Sequence, residues 1–233
     1  KDSELLIVTK NQKINEIKEL ILKGYKLFGE NRVQEALNKY SDLDNKDDIE
    51  LHLIGPLQTN KVKSALKFFD IIQSIDRLSL VDEITKKIKN LNKIKTRGFY
   101  IQVNIGEESQ KSGVLKKDLR DLLDYCQKQK LNIIGLMCIP PNILDPSNYF
   151  HEMCKIRNEI DKSLKLSMGM SNDYNIALKF GSNNIRIGSK IFQWKLLFFL
   201  LLYFLAITTL SQITSSAILK SSIMMVPRSM DYY

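Results

Sequence analysis

The chain has 233 residues, is 44% hydrophobic and carries a formal charge of +9 from 35 basic and 26 acidic residues. That length and apolar content suffice for one large α/β core. The lysines are scattered, as in Lys86, Lys87, Lys89, Lys93 and Lys95, with no zinc-finger spacing, aromatic ribonucleoprotein motif or basic arm. Nucleic acid is therefore excluded as a partner, and a solvated lysine-rich surface accounts for the charge. Cys126, Cys138 and Cys154 form no CxxC pair and are odd in number, as expected of a reduced cytoplasmic protein.

Strand and helix signals alternate from the first residues onward. Leu5–Thr9 reads as a strand delivering Lys10 at its end. Ile14, Ile17, Leu20 and Ile21 follow at helical spacing and are closed by Gly24. Tyr25–Phe28 is a second strand, and Val33, Ala36 and Leu37 open the next helix. Leu51–Ile54 is a third strand ending in Gly55-Pro56, with a helix over Asn60 to Phe69. Ile71–Ile75 is the fourth strand, followed by a helix over Leu78 to Leu91. Phe99–Ile105 alternates in apolar character, and Leu119, Leu122, Leu123 and Cys126 form a helical stripe. Ile133–Ile139 is stopped by Pro140-Pro141, and Tyr149 to Leu164 is helical. Leu164–Met168 before Gly169, a helix over Asp173 to Phe180, and the strand Asn184–Ile187 complete the series. Eight strands alternating with helices predict a (β/α)8 barrel, with a doubly wound open sheet as the competing fold. In either, the loops after the strands carry function.

Residues 1–193 are expected to form the barrel and residues 194–233 a separate tail. From Leu196 to Leu219 no residue is charged, long enough for a spanning helix of about twenty residues. Lysines flank it on both sides, so charge assigns no orientation. A tail anchor with membrane association, a buried terminal helix and a gene-model artefact are the competing readings. The chain opens on Lys1 rather than methionine, almost directly on a strand, so a preceding element is expected.

The unusual residues collect at strand ends: Lys10, Gly29-Glu30-Asn31, the Gly55 to Lys61 run, Lys111-Ser112-Gly113, Ser167 to Ser171 and Arg186 to Ser189. A lysine at a barrel mouth can lose its proton by desolvation and become a nucleophilic amine. Ser167-Met168-Gly169-Met170-Ser171 precedes a helix start, and Gly188-Ser189 follows the last strand. Both positions suit a phosphate, though ordinary turn and cap chemistry accounts for either one alone. No hydrolytic or metal-ligand spacing appears. His52, inside an apolar strand, reads as a satisfied core or supporting histidine, and His151 as exposed on a helix. A lone lysine with a phosphate anchor suits pyridoxal phosphate.

The segments VTK, FGENRVQEALNKY, LHLIGPLQTNK, IDR, IQVNIGEESQKSGV, IIGLMCIPP, LSMGMSNDY and IRIGSKIF, in this order, closely resemble the pyridoxal phosphate homeostasis protein family. The resemblance spans about Leu5 to Phe192. It implies a (β/α)8 TIM barrel resembling the alanine racemase N-terminal barrel, with the cofactor lysine on Lys10 and the asparagine near the cofactor ring on Asn31. It places the phosphate loop on Ser167, Gly169, Met170 and Ser171, completed by Gly188 and Ser189, and an arginine facing the pyridine nitrogen on Arg186. The lysine and proline that often follow the family's cofactor lysine are replaced by Asn11-Gln12-Lys13. Racemisation needs a second base, which racemases take from a separate β domain, and an apolar tail supplies none. The expected protein is a monomeric carrier of pyridoxal 5'-phosphate that passes it to dependent apoenzymes. A weakly active racemase or lyase is the alternative.

Overall fold

The computed structural model describes residues 3–41, 43 and 48–192. The chain divides after Ser189 into two units, Lys1–Ser189 and Lys190–Tyr233. The tail and its apolar stretch 196–219 lie outside the described residues. Among the described residues, no helix is long and apolar enough to cross a membrane.

The first unit is a closed parallel barrel in the order β1-β2-β3-β4-β5-β6-β7-β8, with β1 paired to β8. The strands are β1 Glu4–Val8, β2 Leu27–Glu30, β3 Glu50–Leu53, β4 Ile71–Ile75, β5 Gly98–Val103, β6 Ile133–Cys138, β7 Lys165–Met170 and β8 Asn184–Ile187. The helices are α1 Ile14–Leu22, α2 Val33–Tyr40, α3 Val62–Phe68, α4 Leu78–Lys89, α5 Leu119–Lys128, α6 Ser147–Ile160 and α7 Tyr174–Lys179. The open-sheet alternative is thereby excluded.

The helices turn apolar stripes to the core: of the residues read as stripes, Ile17 and Leu20 of α1 and Val33 and Ala36 of α2 are buried, while Ile14, Ile21 and Leu37 are half-buried. Val62, Ala65 and Leu66 of α3, Leu80, Val81 and Ile84 of α4, and Leu119, Leu122, Leu123 and Cys126 of α5 are all buried. Each such aliphatic side chain contributes about 1.5–3 kcal/mol on leaving water. Burial of Cys126 pushes its thiol up to about 12, so it behaves as a small core hydrophobe.

Ile71–Ile75 and Asn184–Ile187 match the expected bounds and the other strands shift by one or two residues; at the second and seventh the shift has a plain physical reason. The second begins at Leu27 rather than Tyr25, because Tyr25 still closes α1. Its N–H donates to Leu20 O at 3.1 Å while Gly24 N–H donates to Ile21 O at 2.9 Å, a Schellman closure. The seventh runs on past the expected Met168 through Gly169 and Met170. Gly169 has φ +94°, and a Cβ there would come within 2.6 Å of Ala177 Cβ, so the strand end packs directly on α7.

Candidate functional site

The inward parity of β1 is set by Leu6 and Val8, which cluster with Ile54 across the barrel interior. Ile7 and Thr9 take the opposite parity, toward the helices. Lys10 continues the inward series one turn past the strand. Its side chain is exposed.

The backbone on either side of Lys10 is held from behind by α2. Lys39 Nζ donates to Thr9 O at 2.7 Å, and Asn11 N–H, at φ +61°, donates to Glu35 Oε1 at 2.6 Å. Lys39 also pairs with Glu30 at 2.7 Å and Glu35 at 2.9 Å. The Thr9 hydroxyl donates to Glu30 Oε1 at 2.7 Å and takes the Tyr40 hydroxyl at the same distance. Glu30 is fully buried, and burial raises its carboxyl above the usual range despite the Lys39 and Thr9 hydrogen bonds. Its Oε2 has no hydrogen-bond partner among the described residues. Sequence reasoning singled out neither Lys39 nor Glu35, since helix residues bonding to a distant strand leave no local signature.

Asn31 follows Glu30 at the end of β2 and is partly buried. The chain after β3 presses against it: a Cβ on Gly55 would lie 2.2 Å from Asn31 O. At the ends of β7 and β8 the two loops meet. Ser189 Oγ donates to Ser171 Oγ at 3.2 Å. Gly188 lies so close to β1 that a Cβ would sit 2.9 Å from Val8 O. Met170 N–H donates to Asp173 Oδ1 at 2.5 Å, fixing the turn into α7.

Arg186 points into the barrel from β8 and is 4% exposed. It donates from NH1 to Ser167 Oγ at 2.8 Å and from NH2 to Cys138 O at 2.8 Å. No carboxylate pairs with it among the described residues, and burial pulls its pKa below the ordinary arginine value. A buried guanidinium with neutral partners keeps a positive charge and spare N–H donors for a ligand. Gln102 Oε1 and Asn184 Nδ2 are also buried without a hydrogen-bond partner among the described residues.

These placements bring together Lys10, Asn31, Met170, Ser171, Arg186, Gly188 and Ser189 on the ends of β7, β8, β1 and β2, four consecutive strands of the barrel. Ser167, expected in the phosphate loop, lies deeper than Ser171 and Ser189. It is fully buried and its hydroxyl is committed to Gln73 Oε1 at 2.6 Å and to Arg186, so it supports the site from below. His52 is satisfied at both ring nitrogens, by Glu50 at 2.6 Å and Gln73 at 2.7 Å. Among the described residues there is no cluster of metal ligands.

The hydrogen bond with His52, helped by Arg97, holds the Glu50 carboxyl below the usual carboxylate range against the opposing effect of burial. A depressed folded pKa stabilises the protein above the unfolded value of about 4.3 and is lost as pH falls through the folded value. The thermal midpoint should therefore fall on acidification below about pH 4.3. Glu50→Gln should make that acid limb shallower in a pH series of melting curves.

No family model matches the chain. It is 38% identical over 199 residues to the pyridoxal phosphate homeostasis protein of Aquifex aeolicus, covering 82% of this chain and 86% of that one. It is 35% identical to the protein of the same name from Vibrio alginolyticus, over 81% and 85% of the two chains. Among solved structures, PipY of Synechococcus elongatus superposes with TM-score 0.76 without pyridoxal phosphate and 0.71 with it bound. Each is 32% identical, over 82% of this chain and 92% of that chain. Alanine racemase from Bartonella henselae shares the fold, with TM-score 0.64 at 17% identity over 80% of this chain and 53% of that one. A lysine on the first strand, a charged arginine on the last and two converging serines thus sit on the scaffold of these relatives, and the chain belongs to the pyridoxal phosphate homeostasis protein family.

Proposed function

We propose that this chain binds pyridoxal 5'-phosphate at the mouth of the barrel and acts as an intracellular carrier and buffer of that cofactor. The observation that carries the reading is Arg186, a buried cation with no direct ion pair among the described residues and only the more distant Asp173 carboxylate acting on it, on a barrel whose adjoining strand ends carry an exposed lysine and two converging serines. The binding of pyridoxal phosphate by PipY, 32% identical, supports it. When bound, the cofactor supplies an aldehyde that forms a Schiff base with an amine.

Lys10 provides that amine. Its flanking backbone is fixed by Lys39 and Glu35, while its side chain stays free to reach the aldehyde. Ser171 and Ser189 hold the phosphate, in a cradle shaped by Gly169, Met170 and Gly188. Asn31 flanks the ring, and Arg186 donates to the ring nitrogen. A guanidinium in that position keeps the nitrogen unprotonated and weakens the ring as an electron sink, which favours holding the cofactor over using it. The protein acts as a monomer in the cytoplasm and passes the cofactor to dependent apoenzymes.

The test is to add pyridoxal phosphate to purified protein, reduce with borohydride and map the modified residue by mass spectrometry. Racemase and lyase turnover are assayed in parallel. Modification on Lys10 without turnover is expected. Robust turnover would replace the carrier by an enzyme, and absence of any adduct would remove the cofactor site.

A further inference from the structure

Barrel interiors of this kind are normally filled by layers of branched apolar side chains. Here a file of polar side chains crosses the interior instead. It starts at Arg186 on β8 and passes through Ser167 on β7, Gln73 on β4 and His52 on β3 to Glu50 at the start of β3. Its links measure 2.8, 2.6, 2.7 and 2.6 Å. Arg186, Ser167, Gln73 and His52 are each less than 5% exposed. Beyond Glu50 the file reaches the opposite end of the barrel, where Arg97 donates to Glu50 and, at 3.2 Å, to Asp70, which also meets Lys95 at 3.0 Å.

Donor and acceptor roles along the file follow from its first member. A guanidinium can only donate, so Ser167 Oγ accepts from Arg186. The Ser167 hydroxyl proton is then directed to Gln73 Oε1. That places the Gln73 amide nitrogen against His52 Nδ1, which must accept. His52 therefore carries its hydrogen on Nε2 and donates it to Glu50. Every internal member uses both of its ends, and none of these linking atoms is left unpaired. Such a file is costly to bury unless every link is made, and apolar side chains of the same size would fill the space at lower cost. Its retention across a core points to a task at the end that meets the ligand.

We infer that Gln73, His52 and Glu50 are positioning residues for the cofactor site, holding the Ser167 hydroxyl as an acceptor so that Arg186 keeps its remaining N–H donors aimed at the bound ring. The inference rests on the proposed binding of pyridoxal phosphate. Gln73 touches neither Arg186 nor Lys10, yet it decides which way the Ser167 hydroxyl points. Without Gln73 the Ser167 hydroxyl is left with Asn184 Oδ1, at 3.3 Å, as its acceptor; it swings toward that weaker partner, the Arg186 NH1 contact loosens, and Cys138 O remains as the firmer hold on the guanidinium.

Gln73→Met removes both links while nearly conserving length and volume. The expected result is that borohydride still traps the cofactor on Lys10, the dissociation constant rises about tenfold, and the pH at which the visible band of bound cofactor titrates shifts. Gln73→Glu should restore wild-type behaviour, because a carboxylate accepts from Ser167 on one side and from a protonated His52 on the other. Ser167→Ala, which adds no volume, carries the same expectation as Gln73→Met should that variant fold poorly by circular dichroism. Wild-type band position and affinity in both folded variants would overturn the positioning role. Failure of the wild-type protein to take up the cofactor would instead overturn the binding site itself.

Discussion

Lys10→Ala is expected to abolish borohydride-trapped attachment of pyridoxal phosphate completely, while the thermal midpoint of the cofactor-free protein moves by no more than about 1–2 °C. The two halves of this expectation have separate causes. The lysine side chain is exposed and makes no contact on which the core depends, so truncating it belongs with surface substitutions of within about 0.5 kcal/mol. The tethers to α2 run through the backbone of Thr9 and Asn11 and survive the change. The reactive amine, by contrast, has no substitute on the strand. Lys39, the nearest lysine on α2, is committed to Thr9 O, Glu30 and Glu35. A trapped adduct of wild-type yield in Lys10→Ala would show that another lysine holds the cofactor.

Lys39→Ala should give the largest loss of stability. It leaves the Glu30 carboxylate buried with the Thr9 hydroxyl as its remaining hydrogen-bond partner, on a side chain that already has an unpaired Oε2. Breaking a buried pair from one side costs about 3–5 kcal/mol. For a domain of this size that corresponds to a fall of roughly 6–20 °C in the thermal midpoint. Glu30→Gln combined with Lys39→Met should recover most of it, since no charge is then stranded. The same loss frees the Thr9 carbonyl behind Lys10, so cofactor affinity should fall in Lys39→Ala even below its melting range. A midpoint within 1–2 °C of wild type would show that Glu30 does not depend on Lys39.

The architecture was legible because barrel strands and their helices write strong periodicities. Ile71–Ile75 and Asn184–Ile187 match the expected bounds, and the stripe read on α5 is its buried face. The displaced second strand shows the limit of that signal. Tyr25 has the β propensity of a strand residue but is bound to α1, whereas Glu30 looks like a loop residue and is fully buried in the strand. Burial of a carboxylate depends on partners from elsewhere in the chain, and spacing does not encode them. Ser167 illustrates the same point. Within SMGMS it looks like any serine of a phosphate loop, and only the closed barrel sets it opposite Gln73, 94 positions away. Gln73 itself sits in an ordinary apolar strand and drew no attention. His52 was legible as a satisfied histidine, but its partners were not.

The seam between β1 and β8 has a consequence for how the protein comes into being. Leu6 pairs with Arg186 and Ile7 with Ile187, so the strand that delivers Lys10 meets the strand that carries Arg186 only across the ends of the folding unit. Such a pairing has nearly the greatest contact order available to the chain, and its loop-closure entropy falls due last. A growing polypeptide therefore exposes Lys10 early, and the proposed site is incomplete until β8 has docked. A cofactor held across the seam as proposed would oppose its reopening by mass action, in proportion to the logarithm of the free cofactor concentration. On that reading the completeness of the barrel and the supply of its ligand meet at one and the same junction.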